Sequence, residues 1–132
     1  MKKMKELEKL LNPRTIAVIG ASNHPGKVGN TLMQKLSKFK GEIIPINIKH
    51  TEILGKKVYP SLLEYPGNID LVIIAIPAKG VKEIVENCAR KKIKNVIIIS
   101  SGFSEIGERE SEREILRIAK QNKINLLGPN CF

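Results

Sequence analysis

The chain contains no tryptophan and only five aromatic residues in 132, Phe39, Tyr59, Tyr65, Phe103 and Phe132. So few rings, with no K/R-G-F/Y stretch among them, leave no stacking platform for bases, and nucleic acid is not an expected partner. No run of 18 or more apolar residues is present, which excludes a membrane-spanning helix. Two cysteines, Cys88 and Cys131, cannot build a disulfide framework and agree with a reducing, cytoplasmic setting. Two histidines, His24 and His50, without cysteines at ligand spacing offer no metal centre. The first ten residues carry Glu6 and Glu8 among their lysines and lack an apolar core. They read as an amphipathic helix over 1–12 packed on the domain, not as a secretion signal.

What is abundant is positive charge, with 23 Lys and Arg against 13 Asp and Glu and a formal net charge of +10. A basic balance suits nucleic acid, an anionic membrane surface or a phosphorylated small molecule. The lysines are spread along the chain and interleaved with glutamates, so they form no binding stripe, and the small molecule is the expectation.

Short apolar runs alternate with helical stretches and no repeat interrupts them, the pattern of a parallel sheet covered on both faces. Strands are expected at Thr15–Ile19, Glu42–Ile48, Leu71–Ile76, Asn95–Ser100 and Ile124–Leu127. Pro45 removes a ladder donor and places the second strand on the outside or at a bulge. Helical spacing joins Leu32, Met33, Leu36 and Phe39 in one helix, and Val81, Ile84, Val85, Cys88 and Ala89 in the next. Ser111 with Glu114 three residues on reads as a capping box opening the last helix, whose inner face is Ile115, Ile118 and Ala119. Segment 49–68 is the least regular, with a short helix at Ser61–Tyr65. The expected fold is α/β, a single Rossmann-like, doubly wound, mainly parallel five-stranded sheet over residues 1–132.

In such a sheet the ligand lies at the carboxyl ends of the strands, near the switch point. That rule gathers loops 20–29, 47–51, 76–80, 100–107 and 128–131 around one crevice. Gly20-Ala-Ser-Asn-His-Pro-Gly-Lys-Val-Gly29 stands between an apolar strand and an amphipathic helix. Glycines there admit a close ligand approach, and the helix start offers free N–H groups and a positive dipole end to a pyrophosphate. Ser22 and Lys27 add a hydroxyl and a cation. The five residues between Gly20 and Gly26 fit neither G-x-G-x-x-G nor a P-loop. At the end of the second strand an NAD site places an acid for the ribose hydroxyls. Here the run is Asn47-Ile-Lys49-His50, and a lysine suits an additional ribose phosphate, as in coenzyme A or NADP. Pro77 and the loop Ser100-Ser-Gly-Phe-Ser-Glu-Ile-Gly107 form the far wall. No catalytic residue stands out: Cys88 belongs to an apolar helix face, Cys131 has no predictable base beside it, and Glu105 and Glu108 read as solvated charges.

The run Leu11-Asn-Pro-Arg-Thr-Ile-Ala-Val-Ile-Gly-Ala-Ser22, followed by Pro25-Gly-Lys-Val-Gly29, resembles the N-terminal CoA-binding domain of the NDP-forming acyl-CoA synthetases. Asn47-Ile-Lys49, Ile76-Pro-Ala78, Ile99-Ser-Ser-Gly-Phe103 and Leu127-Gly-Pro-Asn-Cys131 match further blocks in the same order, and the chain is more distantly similar to the α subunit of succinyl-CoA synthetase. The resemblance implies CoA contacts from Ser22, Pro25, Gly26, Lys27 and Val28, from Lys49, and from Ile99, Ser100 and Ser101. Such enzymes convert an acid, CoA and ATP to acyl-CoA, ADP and phosphate through an acyl phosphate and a phosphohistidine on a later domain. Neither His24 nor His50 matches that histidine, so the expectation is CoA binding without catalysis by these residues alone, with further synthetase domains or a second subunit as partners. A free-standing CoA-binding protein and an NADP-binding sensor or oxidoreductase module are the alternatives.

Overall fold

Apolar residues on alternating sides of each strand set the layers of the molecule. The computed structural model of the protein describes residues 12–49, 51–99 and 109–128. In chain order the elements are β1 (Thr15–Ile19), α1 (Val28–Lys35), β2 (Glu42–Ile46), a hairpin of β3 (Glu52–Ile53) and β4 (Lys56–Lys57), β5 (Leu71–Ile74), α2 (Ala78–Arg90), β6 (Asn95–Ile98), α3 (Arg109–Gln121) and β7 (Asn125–Leu127). Five strands form one sheet in the order β2-β1-β5-β6-β7, parallel at every pairing. Among the described residues no helix is long and apolar enough to cross a membrane.

Ile16, Val18, Ile43, Leu71 and Ile73 face one side and pack with Met33 of α1 and with Ile53 and Val58. Ala17, Ile19, Ile44, Ile46, Val72, Ile74, Val96 and Ile98 face the other, against Val81, Val85 and Cys88 of α2 and Ile115 and Ala119 of α3. The two-sided covering follows from handedness. The first crossover steps outward from β1 to β2 and the later ones step the opposite way, so crossovers of constant hand put α1 on one face and α2 and α3 on the other. β2 is an edge strand, where Pro45 stands opposite Val18 and needs no second ladder donor. The Pro45 carbonyl accepts from the Tyr59 N–H at 3.1 Å.

Several expectations need correction. β2 and β5 end two residues earlier than their apolar runs, at Ile46 and Ile74, and β6 ends one residue earlier than its run, at Ile98. Hydrophobicity continues past the ladder because Ile48, Ile76 and Ile99 line a crevice instead of a strand. α1 stops at Lys35 and tightens into a 3₁₀ turn over Leu36–Lys38, so Leu36 packs from that turn and Phe39 from its C-cap. Ser61–Tyr65 holds a 3₁₀ turn at Leu62–Glu64, with the Ser61 side chain accepting from the Leu63 N–H. The hairpin at Glu52–Lys57 had no sequence signal strong enough to separate it from loop. The capping box does not exist: α3 already includes Arg109, and Ser111 and Glu114 stand inside it. Glu110 and Glu112 in the first turn favour the positive helix end and permit the earlier start. Glu114 is paired with Lys82 of α2 at 2.5 Å, which holds its carboxyl below the usual carboxylate range.

Candidate functional site

The direction of winding reverses between β1 and β5, and there the two connections leave the sheet on opposite faces. A crevice of about 830 Å³ opens at this point. Its walls are Gly20, Ser22, His24 and Lys27–Gly29 after β1, Asn47–Lys49 after β2, Ala75–Pro77 after β5, and Ile99 after β6. No aspartate or glutamate is among these residues.

The loop after β1 folds back on itself. Gly20 has φ +89°, and a Cβ there would lie 2.5 Å from the Ala75 carbonyl oxygen; a Cβ on Gly29 would lie 1.8 Å from the carbonyl oxygen of Gly20. Any larger residue at Gly29 would therefore part the start of the loop from the first turn of α1. That helix begins after Lys27 with no side-chain cap and no acid in its first turn, so its own first turn carries no counter-charge to its positive end.

Three asparagines hold the loop. The buried Asn30 amide donates to the Ser22 carbonyl at 3.1 Å, and the Asn47 amide donates to the Ala21 carbonyl at 2.8 Å. The Asn23 amide donates to the Glu52 carbonyl at 2.9 Å and its oxygen accepts from the Leu54 N–H at 3.3 Å, tying the loop to the β3–β4 hairpin. The Ser22 hydroxyl oxygen accepts from the His24 N–H at 3.0 Å. Carbonyl oxygens repel phosphate, and engaging two of them with amide donors makes the loop a better anion cradle. Among the described residues, the side chains of Lys27 and Lys49 have no partner. Three apolar side chains also stand on the rim: Val28, Ile48 and Ile99 are 54%, 81% and 42% exposed.

Of the residues singled out from sequence, Gly20, Ser22, Lys27, Val28, Gly29, Lys49, Pro77 and Ile99 come together on this crevice. Pro25 and Gly26 lie in the same loop but not on its lining. The expectations for residues 1–11, His50, Ser100, Ser101, loop 100–107 and Cys131 lie outside the described residues. His24, Asn47, Ile48, Ala75 and Ile76 complete the walls, and Asn23 and Asn30 stand behind them. Their signal in the sequence was faint, because an asparagine near a turn is ordinary until its distant partner is known. Burial pushes the Cys88 thiol up to about 12, so it is a core side chain and not a nucleophile. No cluster of three His, Cys, Asp or Glu side chains suited to a metal occurs among the described residues.

A parallel five-stranded sheet with a crevice at its switch point, lysine-flanked and without an acid among its described lining residues, defines a Rossmann-like α/β domain of the nucleotide-binding kind. Residues 14–132 match the model of the CoA binding domain family, and the chain belongs to that family. It is 46% identical over 128 residues to an acetate–CoA ligase (ADP-forming) of Archaeoglobus fulgidus, covering 96% of this chain and 19% of that protein. It is 45% identical over 134 residues to the α subunit of acetate–CoA ligase (ADP-forming) I of Pyrococcus furiosus, covering 96% of this chain and 29% of the subunit. Among solved structures, it superposes on the apo form of the dinucleotide-forming acetyl-coenzyme A synthetase 1 of Candidatus Korarchaeum cryptofilum with a TM-score of 0.87 at 38% identity, over 96% of this chain and 28% of that one. The chain thus spans less than a third of the length of each.

Proposed function

We propose that this domain binds coenzyme A in the crevice beside β1, as the CoA-binding part of an ADP-forming acyl-CoA synthetase. One observation carries the reading: Lys27 and Lys49, two lysines without partners among the described residues, flank a crevice with no acid among its described lining residues, into which an uncapped helix start opens. Coenzyme A has two separate anionic groups, a pyrophosphate and a ribose 3′-phosphate. The Gly20–Gly29 loop with Lys27 takes the first, and Lys49 takes the second. Membership of the CoA binding domain family and the ligase relatives support the assignment. The domain supplies binding and orientation; the chemistry of the proposed synthetase, acid plus CoA plus ATP to acyl-CoA, ADP and phosphate, requires other parts of that enzyme.

Calorimetric titration with CoA, dephospho-CoA and NADPH tests this reading. CoA is expected to bind best, with dephospho-CoA about tenfold weaker, the effect of one lost charge-assisted contact. Equal affinity for CoA and dephospho-CoA would remove Lys49 from the site. Tighter binding of NADPH would replace the assignment, and absence of all binding would end it.

A further inference from the structure

The geometry points to Asn47 as a positioning residue that sets the two anion-binding parts of the crevice relative to each other. This inference rests on the coenzyme A reading for its ligand effects, though not for its structural ones. The Asn47 amide nitrogen donates to the Ala21 carbonyl at 2.8 Å, while its side-chain oxygen accepts from the Lys49 N–H at 2.7 Å. One planar group therefore touches the phosphate loop with one end and the lysine turn with the other. Its own backbone N–H is fixed separately, donating to the Tyr59 carbonyl at 3.1 Å.

The sheet explains why a side chain is needed there. The Gly20 N–H still donates to the Ile46 carbonyl at 3.1 Å, the last backbone bond between the β1 and β2 chains. Beyond it β1 turns into the loop and the ladder ends. The Asn47 amide continues the link one step further, between Ala21, which is fully buried, and the residue after Ile46. The two bonds engage one N–H and one oxygen lone pair of the side chain and so fix the plane of the Asn47 amide between loop and turn.

Donor and acceptor can be removed separately. Asn47→Asp keeps an oxygen for the Lys49 N–H but loses the donor to Ala21; Asn47→Ala loses both. In amide hydrogen exchange without ligand, Asn47→Ala is expected to speed exchange both at Lys49 and at the loop amides of Ser22–His24. Asn47→Asp is expected to speed only the loop. Identical behaviour of the two variants, or no change in either region, overturns the inference. In binding, Asn47→Ala is expected to weaken dephospho-CoA by about fivefold through the loop. It is also expected to shrink the tenfold preference for CoA to about threefold through the turn, while Lys49→Ala removes the preference and leaves dephospho-CoA unchanged. An unchanged preference in Asn47→Ala overturns the coupling. If the wild-type protein binds neither ligand, the coenzyme A reading fails, and the exchange pattern still decides whether Asn47 ties loop to turn.

Discussion

The two ends of the sheet are built from similar residues put to opposite uses. At the amino end, lysines are spent on the protein itself. Lys91 donates to the carbonyls of Tyr65 and Gly67 at 2.7 and 3.1 Å and sits over the Tyr65 ring, and Lys94 donates to the Asn122 carbonyl at 2.8 Å. The Arg14 N–H meets the Asp70 carboxylate at 2.9 Å, and the Asn125 amide meets the Asn95 side-chain oxygen at 3.0 Å. At the carboxyl end Lys27 and Lys49 have no such partners among the described residues, and the asparagines turn the backbone's own oxygens aside. Net charge alone cannot separate these two uses, because both ends are lysine-bearing. What separates them is whether a carbonyl stands within reach, and that is a property of the connections between strands.

Four substitutions probe the contrast, beginning with the largest effect. Gly29→Ala drives a methyl group into the Gly20 carbonyl; CoA affinity is expected to fall about 100-fold, with a stability loss of about 1–3 kcal/mol from overpacking. Titration paired with urea denaturation separates the two effects, and retained affinity would show that the loop need not close on α1. Lys49→Ala is expected to lower CoA affinity about tenfold with an unchanged thermal midpoint. Lys91→Ala should do the reverse, costing about 1 kcal/mol of stability by leaving two carbonyls without their charged donor while CoA affinity stays the same. If Lys91→Ala weakened binding as much as Lys49→Ala, the division of labour between the two ends would be wrong.

The smallest change is expected from Glu114→Gln at the half-buried pair with Lys82, which belongs to neither end. The folded carboxyl titrates below its ordinary range, so its contribution is present above that range and is lost as pH falls through the lowered value. Wild type and variant should differ slightly in thermal midpoint at neutral pH and converge once the pH has fallen below the lowered value. A gap that persists there would assign the effect to something other than the ion pair.

The layers of the fold were readable from the chain because β1, β2, β5 and β6 carry apolar residues on both faces. Pro45 also marked the edge strand, since a missing donor is a local property. The strand ends were not readable. Ile48, Ile76 and Ile99 look like strand residues by hydrophobicity but lie past the paired register of the sheet, and where pairing stops is a relation between distant segments. The same distinction runs through the site. Gly20, Lys27, Gly29 and Lys49 could be picked out by type and position, while the three asparagines act through partners as far as 31 residues away.

The rim formed by Val28, Ile48 and Ile99 has a calorimetric consequence. These side chains hold apolar surface against water at the mouth of a crevice whose attraction is otherwise ionic. A ligand laid across them removes that surface from water, and apolar burial lowers heat capacity. Binding of CoA is therefore expected to show a negative heat-capacity change, so that its enthalpy grows more favourable on warming. Phosphate contacts would set the salt dependence of the affinity, and the three aliphatic side chains would set its temperature dependence.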